Sequence, residues 1–304
     1  MVGISHGFQP ARCPCRKKEN RKPLLVYGEP LVSDYMVKRH EIKNRLQGET
    51  LVRKSLEYGE HQERTVRIAP NLNVIKIGGH GTVDFGSTVL LPLLDEIRQL
   101  KEQYEMLVVV GGGVRVRHVM DIGIDLGMPT GILAELTGDV STQNTKMVAA
   151  LLAQDGGIRV EVTEIMDIPM LMKMGLLPIM AGTPPYSYFE EPSPGSVIPQ
   201  HRTDTGAFLA AEVIGAKTCT LLKNVDGLFT ENPFVNPEAD LIKKISAEEL
   251  LDLNMDDMVL ERKVVELLVN AKNIREVRII NGHTRGTLES ALKGENPGTI
   301  ITAE

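Results

Sequence analysis

From Asn71 to the C-terminus, short β-branched runs alternate with amphipathic stretches, a rhythm that restricts the chain to a mostly parallel sheet covered by helices. Strand character falls at Asn73–Ile77, Met106–Val110, Ile158–Val162, Leu176–Met180, Thr218–Lys223, Val277–Ile280 and Thr299–Thr302. Helical spacing covers Thr88–Gln103, Val114–Leu126, Ser141–Gln154, Thr203–Ile214, Ala247–Leu253, Val259–Lys272 and Thr287–Lys293. The expected class is α/β: a three-layer α/β/α sandwich with a mostly parallel central sheet, built from residues 71–304 as one domain. Residues 1–70, with dense polar stretches such as Arg16-Lys17-Lys18, read as an N-terminal extension whose expected use is contact between subunits. Residues 181–200, carrying several prolines and glycines, are too long for an ordinary connector and form a candidate functional loop.

Composition narrows the partners. A net charge of −6 gives no global attraction to nucleic acid or to an anionic membrane. No apolar run approaches the roughly 18 residues that a spanning helix needs. The expectation is a cytoplasmic protein whose partners are small molecules and other subunits, with neither nucleic acid nor membrane. Two of the three cysteines lie in Cys13-Pro14-Cys15, which with His6 is too small a set to complete a tetrahedral metal site. Met166, Met170, Met172 and Met174 read as flexible core filling.

Four segments carry chemistry. The first strand delivers Lys76 directly into Gly78-Gly79; glycine lets the backbone approach an anion closely, and the lysine adds a mobile positive charge. The second strand runs into Gly111-Gly112-Gly113, followed by Arg115, Arg117 and His118. Two such strand ends can converge their amides on one polyanion at the carboxyl edge of the sheet. Neither cluster has the spacing of a P-loop or of a dinucleotide-binding Gly-x-Gly-x-x-Gly turn. In Arg202-Thr203-Asp204-Thr205-Gly206, Asp204 reads either as the first-turn acid of a helix or as a carboxylate that orients lysines around phosphate. The fourth segment, Lys223-Asn224-Val225-Asp226-Gly227-Leu228-Phe229-Thr230-Glu231-Asn232-Pro233, is a strand breaking into a turn.

In this order the segments, closed by Gly298-Thr299-Ile300-Ile301, resemble the amino-acid-kinase superfamily, and the bacterial UMP kinases in particular, over residues 71–304. The resemblance implies ATP with Mg²⁺ as the nucleotide. It places Lys76 on the transferred phosphate, Gly78 and Gly79 along it, and Asp204 as organiser of the phosphate-contacting lysines. Lys223, Asn224, Asp226, Gly227, Phe229, Asn232 and Pro233 would cradle the nucleotide, with Lys263 as a further charge-neutralising lysine. Gly111, Gly112 and Gly113 would face the acceptor. Departures from UMP kinases occur at Val114, at Asn224 and at Gly138–Asn144. Those departures, together with Gln143-Asn144, Pro184-Pro185-Tyr186 and Ile198-Pro199-Gln200-His201-Arg202, are similar to the molybdenum-storage-protein subunits.

That second resemblance implies a homo- or hetero-hexameric cage that stores molybdate or tungstate as polynuclear oxo-clusters, with ATP hydrolysis supporting loading. Arg115, Arg117, His118, Gln143, His201 and Arg202 are the candidate oxyanion groups, and His118 and His201 the candidate metal ligands. Glu190 and Glu191 would repel an anionic cluster unless protonated or turned outward. Two other functions stand beside storage: a kinase acting on a nucleotide or small acid, and a non-catalytic nucleotide-binding scaffold.

Overall fold

The computed structural model describes residues 65–255 and 258–304. His6, Cys13, Cys15 and all but the last few residues of the expected extension lie outside them. The chain runs β1 (Asn73–Ile77), α1 (Leu90–Leu100), β2 (Met106–Val110), α2 (Val114–Asp125), α3 (Thr130–Leu151), β3 (Gly157–Val160), α4 (Ile168–Lys173) and β4 (Leu177–Ala181). It continues through α5 (Thr203–Ile214), β5 (Thr218–Lys223), β6 (Leu228–Phe229), β7 (Leu241–Ile242), β8 (Lys244–Ser246), α6 (Ala247–Asp252), α7 (Arg262–Val269), β9 (Glu276–Asn281), α8 (Thr287–Lys293) and β10 (Thr299–Thr302).

Eight strands form one sheet in the order β3-β4-β2-β1-β5-β9-β10-β8, and every pairing in it is parallel except β9 with β10. Strands β6 and β7 form a separate antiparallel pair. Alternation along the central strands feeds two apolar layers. Ile75, Ile77, Val108, Val110 and Leu222 pack with Leu94 and Ile97 of α1 and Leu288 of α8. Val74, Val109, Cys219 and Leu221 pack with Phe208 and Ala211 of α5 and Val264 and Leu268 of α7. The three-layer α/β/α arrangement expected from the sequence is therefore present. Among the described residues no helix is long and apolar enough to cross a membrane.

Several boundaries differ from expectation for identifiable reasons. Helix α3 begins at Thr130, eleven residues before the expected Ser141. Gly131 and Gly138 look like breakers, but Gly131 serves close packing, since a Cβ there would lie 2.1 Å from the Tyr188 carbonyl oxygen, and Gly138 is simply accommodated within the helix beside Thr183. Strand β3 stops at Val160, because Glu161 and Glu164 form a reciprocal capping box that starts a 3-10 turn over Val162–Asp167. Helix α7 covers only the centre of the expected Val259–Lys272, since Glu261 stands at its N-cap in extended backbone. Strands β6, β7 and β8 are too short to show a period in the sequence. Of the four methionines expected as core filling only Met172 packs against the core; Met166, Met170 and Met174 are exposed.

Candidate functional site

Period-2 alternation decides which side of the sheet each basic strand residue faces. Lys76 shares its face of β1 with Val74, and Lys223 shares its face of β5 with Cys219 and Leu221, all on the α5 side. The two strands are adjacent and parallel, with Lys76 opposite Leu221, so both lysines reach the same end of the sheet. There α5 begins, and its first turn carries Asp204. Lys76 Nζ lies 2.6 Å from Asp204 Oδ1, and Lys223 Nζ donates to Asp204 Oδ2 at 2.6 Å. The three side chains are only 6%, 14% and 4% exposed for Lys76, Lys223 and Asp204.

Burial pushes the Asp204 carboxyl upward, but the Lys223 and Lys76 ammoniums outweigh it and hold the group well below the usual carboxylate range. Burial lowers the Lys223 ammonium from its ordinary value, against the pull of Asp204 and with the push of Lys76. One carboxylate touching two ammoniums leaves one positive charge unmatched by direct contact, and Glu261 acts on Lys223 only from further away. Such a charge, held in a low-dielectric wall, favours an anionic ligand.

The triad lies in the wall of a cleft of about 630 Å³ at the carboxyl edge of the sheet. The glycine turns after β1 and β2 do converge: a Cβ on Gly79 would sit 1.9 Å from Gly113 N, a distance no side chain tolerates. Gly113 also adopts φ +78°, in the left-handed range. Asp84 closes one side of this convergence, its Oδ2 accepting from Val114 N–H at 2.6 Å. The first free amide of α2 thus already holds a carboxylate.

Of the residues singled out in the sequence, Lys76, Gly78, Gly79, Gly112, Gly113, Arg117, Arg202, Asp204, Lys223, Asn224, Gly227, Phe229, Asn232 and Pro233 line the cleft. Others stand elsewhere. Lys263 lies inside α7 and pairs with Glu266 at 3.2 Å instead of facing the triad, because a period of 3.6 puts Val264 and Val265 on the buried face. Asp226 is exposed and accepts from Asn281 Nδ2 at 2.8 Å, bracing the turn from outside. Arg115 donates to Gln143 Oε1 at 3.2 Å and to Asn144, and Asn144 Nδ2 donates to the Gly111 carbonyl at 2.8 Å. Arg115, Gln143 and Gly111 therefore belong to a buttress behind the glycine turn.

His118 is exposed on α2, whereas His201 is buried, so the two candidate metal ligands are not brought together. Among the described residues no group of three or more His, Cys, Asp or Glu side chains could hold a metal ion. His201 Nδ1 donates to Glu190 Oε1 at 2.6 Å, and His201 N–H donates to the same oxygen at 2.9 Å. The Tyr186 ring stands edge-on to His201 with centroids 4.8 Å apart. Glu190 is thus turned inward, and only Glu191 of the acidic pair is exposed. Sequence reasoning missed His80, Met120, Thr137, Phe234 and the Met258–Glu261 stretch of the cleft wall. Phe234 directly follows the predicted turn and could have been found; Glu261 had no local signal.

A Lys-Asp-Lys cluster under paired glycine turns therefore stands at the carboxyl edge of a mostly parallel α/β sheet. The model of the Amino acid kinase family matches residues 71–281, and the chain belongs to that family. It is similar to the molybdenum storage protein subunit beta of Azotobacter vinelandii, with 37% identity over 86% of this chain and 97% of that one. It is also similar to the uridylate kinase of Methanocaldococcus jannaschii, at 29% identity over 72% of this chain and 97% of the kinase. The fold matches the crystal structure of the Archaeoglobus fulgidus uridylate kinase with a TM-score of 0.57 at 24% identity, covering 76% of this chain and 99% of that one. It matches UMP kinase from Ureaplasma parvum with a TM-score of 0.60 at 20% identity, covering 77% and 99%.

Proposed function

We propose that the cleft binds MgATP and that the protein uses its hydrolysis to deposit molybdate or tungstate as oxo-clusters inside an oligomeric cage, a cytoplasmic hexamer with an N-terminal extension and a nucleotide domain over residues 71–304. The observation that carries the nucleotide part is the buried Lys76–Asp204–Lys223 cluster, in which two ammoniums share one carboxylate at the cleft wall. Lys76 and Lys223 neutralise the phosphoryl oxygens, Asp204 fixes where the two ammoniums stand, and the amides of Gly79 and Gly113 close over the chain of phosphates. Phe229, Pro233, Phe234 and Val259 supply the apolar end that takes the base. Mg²⁺ fits as an ion carried by the phosphates, since Asp204, the carboxylate nearest the two lysines, is committed to both of them. It would supply charge neutralisation between the phosphoryl oxygens.

The cargo assignment rests on the near full-length similarity to the storage subunit. Arg117 and Arg202, exposed at the cleft, are the groups placed to meet an oxyanion. The decisive experiment incubates the purified protein with MgATP and molybdate, passes it through gel filtration and measures molybdenum in the protein peak. Retention well above a nucleotide-free control is expected; equal retention with and without nucleotide overturns the reading.

A second reading, transfer of the ATP γ-phosphoryl to a nucleotide or small acid, is favoured by the uridylate kinase relatives and by Arg117 in the cleft wall. ADP release that requires such an acceptor, and not molybdate, would select it.

A further inference from the structure

Helix α5 has no side-chain cap of its own at Arg202, yet the N–H groups of Arg202, Asp204 and Thr205 all find an acceptor. The carboxylate that satisfies them comes from Glu261, more than fifty residues away. Glu261 Oε2 accepts from Arg202 N–H at 3.0 Å, from Thr205 N–H at 3.1 Å and from Thr205 Oγ1 at 2.6 Å. Its Oε1 accepts from Asp204 N–H at 2.9 Å. Glu261 is 8% exposed, and Thr205 is fully buried. The position that would otherwise receive an external anion at the start of α5 is therefore filled by the protein itself.

The residue held by this carboxylate is the one that bridges the two lysines. Asp204 is bound through its amide to Glu261 and through its two oxygens to Lys76 and Lys223. Met258, Val259 and Leu260, immediately before Glu261, form part of the cleft wall. We propose that Glu261 is a positioning residue of the cleft: it fixes the first turn of α5 so that Asp204 holds both lysines on the phosphates, and it ties that turn to the Met258–Leu260 wall. This rests on the reading of the cleft as a nucleotide site. Glu261 also favours the charged form of Lys223, a long-range contribution in the same direction.

A carboxylate that only caps a turn provides the contrast. Glu212 accepts from Lys272 N–H at 2.8 Å and from Ile274 N–H at 2.8 Å, away from the cleft. In Glu261→Gln the side chain keeps its shape, but its amide group must face at least one backbone N–H that now has an acceptor. ATP turnover by the full chain is expected to fall about tenfold in kcat with KM changed less than about twofold. The alkaline limb of the pH profile should move to lower pH. Glu212→Gln should lower Tm without moving kcat or the profile. Thr205→Val, a milder change that removes only the hydroxyl partner, should shift both readouts of Glu261→Gln in the same direction by less.

If Glu261→Gln and Thr205→Val match Glu212→Gln in kcat and pH profile, the proposal is wrong although the cleft reading stands. Loss of the cleft reading has a different signature, absence of nucleotide-dependent turnover in the wild type. In that event the titration of Lys223, followed by NMR of its ε-carbon in the ligand-free protein, decides. A lower titration midpoint in Glu261→Gln supports the positioning role, and an unchanged one overturns it.

Discussion

Two buried polar clusters flank Arg202, and they differ in how many partners share one carboxylate. On one side His201 and Glu190 form a pair in which one carboxylate meets one imidazole and both are folded into the protein. On the other, Asp204 faces two ammoniums, Lys76 and Lys223, at the wall of a cleft. The first arrangement fastens the middle of the long 181–200 loop, at Glu190, to the segment just before α5. The second leaves one positive charge unmatched by direct contact and points it at a void. A buried carboxylate alone therefore does not mark a site; two ammoniums on one carboxylate beside an open cleft do.

The largest expected effect separates the two clusters outright. Lys76→Ala should reduce ATP turnover by about 10³-fold, the range for losing one preorganised charge on a developing anion, with circular dichroism unchanged. Near-normal turnover would move the phosphate site away from the triad. Next in size, Asp204→Asn leaves two ammoniums facing each other and should cost about 3 kcal/mol of stability. Part of that loss should return on adding ATP or tripolyphosphate, measured as a rise in Tm, because the ligand supplies the missing negative charge. Glu190→Gln should cost about 2 kcal/mol with no such recovery, and it should expose the 181–200 loop to protease while changing turnover less than about threefold. Were its turnover to fall with that of Lys76→Ala, the clasp would have to be counted as part of the site.

A smaller effect follows from the lowered Lys223 ammonium. Between its folded value and the ordinary lysine value of about 10.4, the unfolded chain binds a proton that the native protein has released. Stability of the ligand-free protein should therefore rise with pH across that alkaline window, while affinity for the anionic nucleotide falls. Denaturant melts and nucleotide titrations read the two slopes, and Lys223→Met should flatten both. The smallest effect belongs to Lys263→Ala: its partly exposed pair with Glu266 contributes less than about 0.5 kcal/mol, and turnover should not change.

Much of this was legible in the sequence because the signals are local. The strand that carries Lys76 into Gly78-Gly79 needs only alternation and glycine to be recognised, and it was found with its exact limits. The early half of α3 was missed because nothing in the sequence distinguishes Gly131, a point of close packing, or Gly138, tolerated mid-helix, from a helix breaker. Lys223 and Lys263 were both expected at the nucleotide, Lys223 in its cradle and Lys263 as a further charge-neutralising lysine. Their roles separated only when strand parity sent Lys223 to the α5 face and helical periodicity sent Lys263 to the surface.

What the sequence determined by itself is therefore the set of parts: an α/β sandwich, a lysine entering a glycine turn, a second glycine turn, and an aspartate opening a helix. Each follows from the preferences of a few neighbouring residues. Only the tertiary structure decided which parts meet. Asp204 reads as an ordinary first-turn acid until parallel pairing of β1 with β5 brings two lysines to it, and Glu261 reads as nothing until its carboxylate is found on the amides of α5. Electrostatics acts through space between groups as close in the chain as Lys223 and Asp204, 19 residues apart, and as distant as Lys76 and Asp204, and no local pattern encodes those separations.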